Sequence, residues 1–234
     1  QGLPDVKPEE RVRELKRLTG RMIGINLEPV ESGYESADPD SMWKMSPGRV
    51  ATLENAVKAC EMGVDMVLLT GNPGTGVSNQ AITDTLRLLK KELGDRLILA
   101  AGKMHASGIL SEAGEHIITR RDVEEFIGAG ADIVLFPAPG TVPGITMEYV
   151  RGLVTEAHSR NVLTMTSIGT SQEGADAETI RQIALMCKMA GTDIHHVGDS
   201  GYTGIAIPEN ITAYSKVIRG TRHTYRRMAL SVNR

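Results

Sequence analysis

Four side chains in this sequence have the types and positions to do chemistry at the ends of parallel strands. They are Glu28 in RMIGINLEP, Lys103 and His105 in LILAAGKMH, and Asp199 in DIHHVGDSG. A lysine in such a place can form a Schiff base with a carbonyl, move a proton or bind an anion. The competing structural reading is a lysine neutralised by Glu28 or Asp199 as an ion pair. His105 suits acid–base work, and Glu28 suits a general base or a metal ligand. Glu28 and Asp199 together make the kind of carboxylate pair that holds Mg2+, though no ligand spacing in the chain fixes a metal.

Alternation of side chains along an extended strand decides which of these residues share a face. It groups Gly24, Asn26 and Glu28 against Ile23, Ile25 and Leu27. It pairs Lys103 with His105, read as inward-facing, and makes Thr164 and Thr166 a polar inner face. One of His195 and His196 must also face inward, and alternation leaves open which.

Two loops are candidate anion cradles. IGTSQEGAD supplies Gly169, Thr170 and Ser171, and GDSGYTG supplies Gly198, Ser200, Gly201, Thr203 and Gly204. Both feed a helix, and backbone N–H groups at such junctions bind phosphate or carboxylate. Asn26 and His196 are placed with them as substrate-binding residues. The bland alternative is ordinary turn chemistry. A third loop, NPGTGVSN, lacks the lysine of a nucleotide-binding P-loop.

Such residues need a scaffold that gathers strand ends, and the hydrophobic pattern supplies one. Short apolar runs at Met22–Leu27, Met66–Thr70, Leu97–Ala101, Ile133–Phe136, Val162–Thr166 and Ile194–Val197 alternate with stretches of helical period. These helices fall at Pro8–Thr19, Val50–Met62, Gln80–Leu93, Arg121–Ile127, Met147–Ser159, Glu178–Met189 and Pro208–Ile218. Repeated βα units with right-handed crossovers predict an α/β fold, a (β/α)8 TIM-type barrel in one domain. Six βα units are visible, and the first two are expected upstream of Gln1; the alternative is an open sheet. The strings MGVDMVLL, AGADIVLF and AGTDIHHV repeat a helix-ending glycine, an aspartate and a strand, so Asp65, Asp132 and Asp193 are expected to tie down αβ turns.

Loops after the strands are long and those before them short, which is the functional asymmetry of barrels. The segment 29–49, with the sole tryptophan Trp43, is a candidate lid. The basic tail 219–234, with Arg219, Arg222, Arg226, Arg227 and Arg234, should lie at the opposite rim.

Composition narrows the partners. A net charge of −3 offers no general attraction to nucleic acid or anionic lipid. No apolar run is long enough for a membrane span. Two cysteines, Cys60 and Cys187, both within helical patterns, suit a reducing compartment, so a cytoplasmic location is expected. With only 3% aromatic residues, the core must be aliphatic.

The stretch from LILAAGKMHASG through AGADIVLFP to NVLTMTSIG resembles the middle of the phosphoenolpyruvate mutase/isocitrate lyase superfamily. The resemblance implies a magnesium-dependent lyase or mutase of small α-oxo or hydroxy acids. The ending HVGDSGYTGIA is similar to phosphate-binding barrels that handle sugar phosphates. The whole chain resembles a family of uncharacterised bacterial barrels carrying a phosphonomutase-related label. The resulting expectation is a metabolic lyase, mutase or isomerase acting on a small anionic metabolite, assembled as a homo-oligomer. The alternative is a non-catalytic sugar-phosphate sensor on the same scaffold.

Overall fold

The computed structural model describes residues 6–34, 46–105, 109–198 and 206–230. Six strands form one sheet: β1 (Gly24–Leu27), β2 (Met66–Leu69), β3 (Ile98–Gly102), β4 (Ile133–Pro137), β5 (Leu163–Ile168) and β6 (Ile194–Val197). They pair in sequential order, every pair parallel. The helices between them are α1 (Arg11–Thr19) before β1, then α2 (Leu53–Met62), α3 (Asn79–Leu93), α4 (Arg120–Gly128), α5 (Met147–Ser159) and α6 (Ala177–Ala190), with α7 (Pro208–Ala229) last. This is the expected barrel-type α/β fold. β1 and β6 are the edges of the described sheet.

The sheet has two apolar faces. Leu68, Ala100, Ile133, Leu135 and Met165 fill its concave interior. Leu27, Val67, Leu69, Leu99, Ala101, Val134 and Phe136 pack outward onto the helices. Burial on both faces explains why the strands read as continuous apolar runs rather than alternating ones. Caps set the helix starts. Thr52, Ser78, Thr119, Thr146 and Asp176 each accept a backbone N–H from the first turn.

The repeated aspartates do the same job three times at the amino ends of the strands. Asp65 accepts the Ile23 N–H at 2.8 Å, Asp132 the Leu99 N–H at 2.9 Å and Asp193 the Thr164 N–H at 2.8 Å. Each clamps the start of the preceding strand to its neighbour. Lys16 adds an ion pair to Asp65, and His158 lies 2.8 Å from Asp193. This rim is a stability device.

Two expectations need correction. Thr164 and Thr166 do not line the interior. Thr164 bonds Asp193 through its hydroxyl at 2.7 Å, and Thr166 lies beside Cys187 and Tyr214 under the helices. Met165 holds the interior instead, and Ile168, on the threonines' phase, joins the helix-side cluster. The threonine methyls tolerate the apolar side and the Thr164 hydroxyl finds Asp193, so polarity misreads the phase. The last helix also runs beyond Ile218 to Ala229, with a break at Gly220 (φ 74°, ψ 163°). Arg21, just before β1, donates to the carbonyls of Arg227 and Leu230. The described end of the tail, to Leu230, therefore meets the amino rim, opposite the carboxyl ends of the strands; Arg234 lies outside the described residues. No described helix is long and apolar enough to cross a membrane.

Candidate active site

The carboxyl ends of β3, β5 and β6 bring together the residues best equipped for chemistry. β3 ends at Gly102 (φ 156°), where a Cβ would lie 2.0 Å from the Leu135 carbonyl oxygen. Only glycine permits that approach of β3 to β4. Strand phase gives the interior to Ile98, Ala100 and Gly102, and Met104, two residues on, packs on the interior cluster. Lys103, expected inward together with His105, follows Gly102 directly, one residue beyond the strand. The lysine is enclosed, with 1% exposure, and it heads the largest fully buried side chains. Enclosing a lysine so completely is costly in a fold unless its amine is used or partnered.

His105 follows, half-buried. Burial holds its imidazole below the ordinary value, and the negative charge of Glu173 acts in the opposite sense. Glu173 lies in the loop after β5 and is 5% exposed. Its Oε2 has no hydrogen-bond partner among the described residues. The Glu173 carbonyl accepts from the Asn210 amide at 2.8 Å, which also donates to Ala175 at 3.0 Å, so α7 anchors this loop. A buried carboxylate oxygen left unsatisfied is expensive. It is the group most in need of a donor.

β6 settles the question of the paired histidines. His196 is in register with Ser167 and contacts its hydroxyl through Nδ1 at 2.7 Å, on the interior side. His195 faces the helices, 3.0 Å from the Tyr214 hydroxyl. Burial, aided by the positive charge of Arg219, pushes the His195 imidazole down to about 4. Burial also raises the Tyr214 phenol and the Cys187 thiol, so this helix-side cluster stays neutral.

The other expected site residues fall as follows. Glu28 ends β1 and is 5% exposed, paired with the Arg49 guanidinium and facing Thr75. Burial raises its carboxyl in spite of Arg49. Its N–H donates to the Arg49 carbonyl at 2.8 Å and its carbonyl accepts from Ala51 at 2.8 Å, so much of its role is to bind 49–51 to the strand end. A carboxylate already neutralised by an arginine does not fit a Mg2+ ligand. Among the described residues, no group of three or more His, Cys, Asp or Glu side chains converges to hold a metal. Asn26 lies on β1, exposed at the sheet edge.

Gly169 and Gly198 stand at the ends of β5 and β6. A Cβ on Gly169 would come within 2.8 Å of Met104 Sδ. The Thr170 hydroxyl is engaged with the Thr141 carbonyl and the Gln172 side chain, and Ser171 takes a left-handed conformation (φ 74°) unusual for serine. Asp199, Ser200, Gly201, Thr203 and Gly204 lie outside the described residues, as does Trp43 of the candidate lid. At the lid's described start, Tyr34 donates to the Gly74 carbonyl at 2.8 Å and its ring covers Gly76.

Sequence reasoning missed Glu173, Ser167 and Met104. Glu173 stood inside the presumed anion cradle, where a loop glutamate reads as solvated. The signal that could have found it is a carboxylate flanked by glycines directly after a strand.

A parallel, sequentially wound βα sheet, with a buried lysine and a buried carboxylate near its carboxyl rim, defines a barrel-type α/β protein. The chain belongs to the family described as Domain of unknown function (DUF7916), whose model matches residues 1–234. No curated protein sequence matches it. Among solved structures it is similar to a protein assigned as a deoxyribose-phosphate aldolase from Coccidioides immitis. That match has TM-score 0.57 and 11% identity, covering 88% of this chain and 70% of the other. It is also similar to a tetrameric deoxyribose phosphate aldolase from Aeropyrum pernix, with TM-score 0.56 and 15% identity, covering 92% of this chain and 82% of the other. These likenesses establish the fold. The matching family's description carries no phosphonomutase assignment, so that part of the expected kinship narrows to a shared barrel architecture.

Proposed function

We propose that this protein is a lyase that makes or breaks a carbon–carbon bond in a small phosphorylated or carboxylated carbonyl compound, through a Schiff base on Lys103. The observation that carries the reading is the enclosure of Lys103 at 1% exposure one residue beyond β3, at the rim that also holds His105 and Glu173. A shielded amine at a strand end suits attack on a carbonyl, because water is kept from the iminium that forms.

The steps balance with these groups alone. The Lys103 amine adds to the substrate carbonyl and water leaves, giving an iminium. A base at the rim, His105 or Glu173, takes the proton of the β-hydroxyl as the carbon–carbon bond breaks. The aldehyde departs and the electron pair moves to the iminium as an enamine. That proton returns to the enamine carbon, and water frees the amine. Glu173, with an oxygen seeking a donor, suits the substrate hydroxyl. The anionic end of the substrate is assigned to the loop that begins at Gly198. The aldolase fold neighbours support a lyase over a mutase or isomerase, and the tetrameric one supports a homo-oligomeric assembly.

A thermal-shift screen of phosphorylated sugars and α-oxo acids, with and without Mg2+, identifies the ligand class. Turnover of the ligands found is then compared between the wild type and Lys103→Met. Loss of turnover by at least about 100-fold with folding retained is expected. Binding without turnover in the wild type would return the protein to the role of a sensor, and full activity in Lys103→Met would remove the lysine from the chemistry.

A further inference from the structure

We infer that the loop joining β2 to α3 is the subsite for the hydroxyl groups of the substrate, with Thr70, Asn72 and Asn79 as its acceptors. Among the described residues, three of the six buried side-chain oxygens without a hydrogen-bond partner belong to this loop, so the deficit is local. They are Thr70 Oγ1, Asn72 Oδ1 and Asn79 Oδ1. Thr70 and Asn72 are each 4% exposed. A buried oxygen left unpaired is costly, and three in one loop at the carboxyl rim call for a ligand that brings donors.

The fold itself does not use these atoms. The Asn72 carbonyl accepts the Thr75 hydroxyl at 3.0 Å and the N–H groups of Thr75 and Val77 at 3.0 and 3.2 Å. The Asn72 N–H donates to Thr75 Oγ1 at 3.3 Å. Backbone groups and Thr75 thus close the turn, and the Asn72 amide oxygen is spare. Helix α3 is capped by Ser78, which accepts the Ala81 N–H at 3.1 Å, so the Asn79 amide oxygen is not needed there either. The Thr70 N–H reaches the Leu27 carbonyl at 3.4 Å, which puts Thr70 where the ends of β1 and β2 meet. Its hydroxyl takes no part in that contact.

The chemistry selects hydroxyls over an anion. A phosphate or carboxylate dianion has no hydrogen to give three acceptor oxygens. A hydroxyl donates, and because it also accepts it fits whichever way either amide is turned. Several such oxygens suit a sugar or polyol chain. The direction of the substrate rests on the lyase reading above: its hydroxyl-bearing end lies toward β2, away from the anionic end assigned to the loop after β6. The turn is strapped from outside by Glu31, whose N–H donates to the Gly76 carbonyl at 2.9 Å, and by Tyr34, which donates to the Gly74 carbonyl. Hydroxyls enter as that strap loosens.

Calorimetric titration with ribitol 5-phosphate and with pentyl phosphate tests the subsite. Both have five carbons and no carbonyl, and they differ in their hydroxyls. The wild type should bind ribitol 5-phosphate at least about tenfold more tightly, and Thr70→Val should give up about fivefold of that preference. Because the hydroxyl removed has no partner in the fold, Thr70→Val should melt no lower than the wild type. No binding of ribitol 5-phosphate by the wild type, an unchanged preference in Thr70→Val, or a lower melting temperature of that variant overturns the inference. Neither compound can form a Schiff base, so failure here and failure of the lyase reading are separate results.

Discussion

Glu173 lies across the end of β6 against Gly198. A Cβ on Gly198 would meet Glu173 Cδ and Cγ at 3.5 Å and the Ile168 carbonyl oxygen at 2.6 Å. The backbone of β5 thus forbids a side chain at this position, with Glu173 at ordinary contact distance beyond it. Gly198→Ala should cost about 1–3 kcal/mol of stability through overpacking against the Ile168 carbonyl. Gly152, in α5, has open space around it, so Gly152→Ala should stabilise by about 0.5–1 kcal/mol. Urea denaturation of the two variants checks both signs.

The charge of Glu173 acts on His105. Burial holds His105 low and the carboxylate offsets part of that effect. Glu173→Gln removes the negative charge, so the His105 imidazole should titrate at still lower pH. Any rate that needs neutral His105 should keep its value further into acid. An NMR titration that moved His105 upward in this variant would exclude the assigned proximity.

His195 makes stability depend on pH. Its folded value is near 4, against about 6.5 in an unfolded chain. Between those values the unfolded chain binds a proton that the folded protein refuses. Stability is therefore full above pH ~6.5 and falls as the pH drops toward 4. Replacing His195 with glutamine, which keeps a polar group near Tyr214, should flatten that part of the stability profile. Chemical denaturation across the range measures it.

The aspartate clamps should matter more than surface ion pairs. Asp193→Ala strips acceptors from the Thr164 N–H and hydroxyl, at an expected cost of about 1–3 kcal/mol. Asp84→Ala, which breaks an exposed pair with Arg87, should cost no more than about 0.5 kcal/mol. Burial pushes the carboxyls of Asp65 and Asp193 up, but their hydrogen bonds outweigh it and hold both below the usual range. Their contribution is present above the unfolded value near pH ~3.9 and is lost as pH falls through the folded one. Thermal melts of the variants against the wild type, from neutral pH into acid, separate the two kinds of carboxylate.

The scaffold was legible because its signals are local. Apolar runs, helix caps and the repeated glycine–aspartate turns each follow from short-range chemistry, and Asp65, Asp132 and Asp193 took up the turn role their spacing suggested. The site was less legible because it depends on strand phase and on contacts between distant loops. Thr164 and Thr166 look like an inner face until Met165 is seen to fill it. The choice between His195 and His196 needs the partner strand, which supplies Ser167 to one, and α7, which supplies Tyr214 to the other. Glu173 has its loop anchored by Asn210 on α7 and lies beside Gly198 at the end of β6, neither of which a linear reading brings near it.

The central claim, that Lys103 forms a covalent link with a carbonyl substrate, is tested most directly by borohydride reduction in the presence of 2-deoxyribose 5-phosphate, pyruvate and simple aldehydes. Peptide mapping by mass spectrometry should then find the reduced adduct on Lys103, and none on that peptide in Lys103→Met. Adducts confined to other lysines, or none at all from any of these carbonyls with a folded protein, would contradict it.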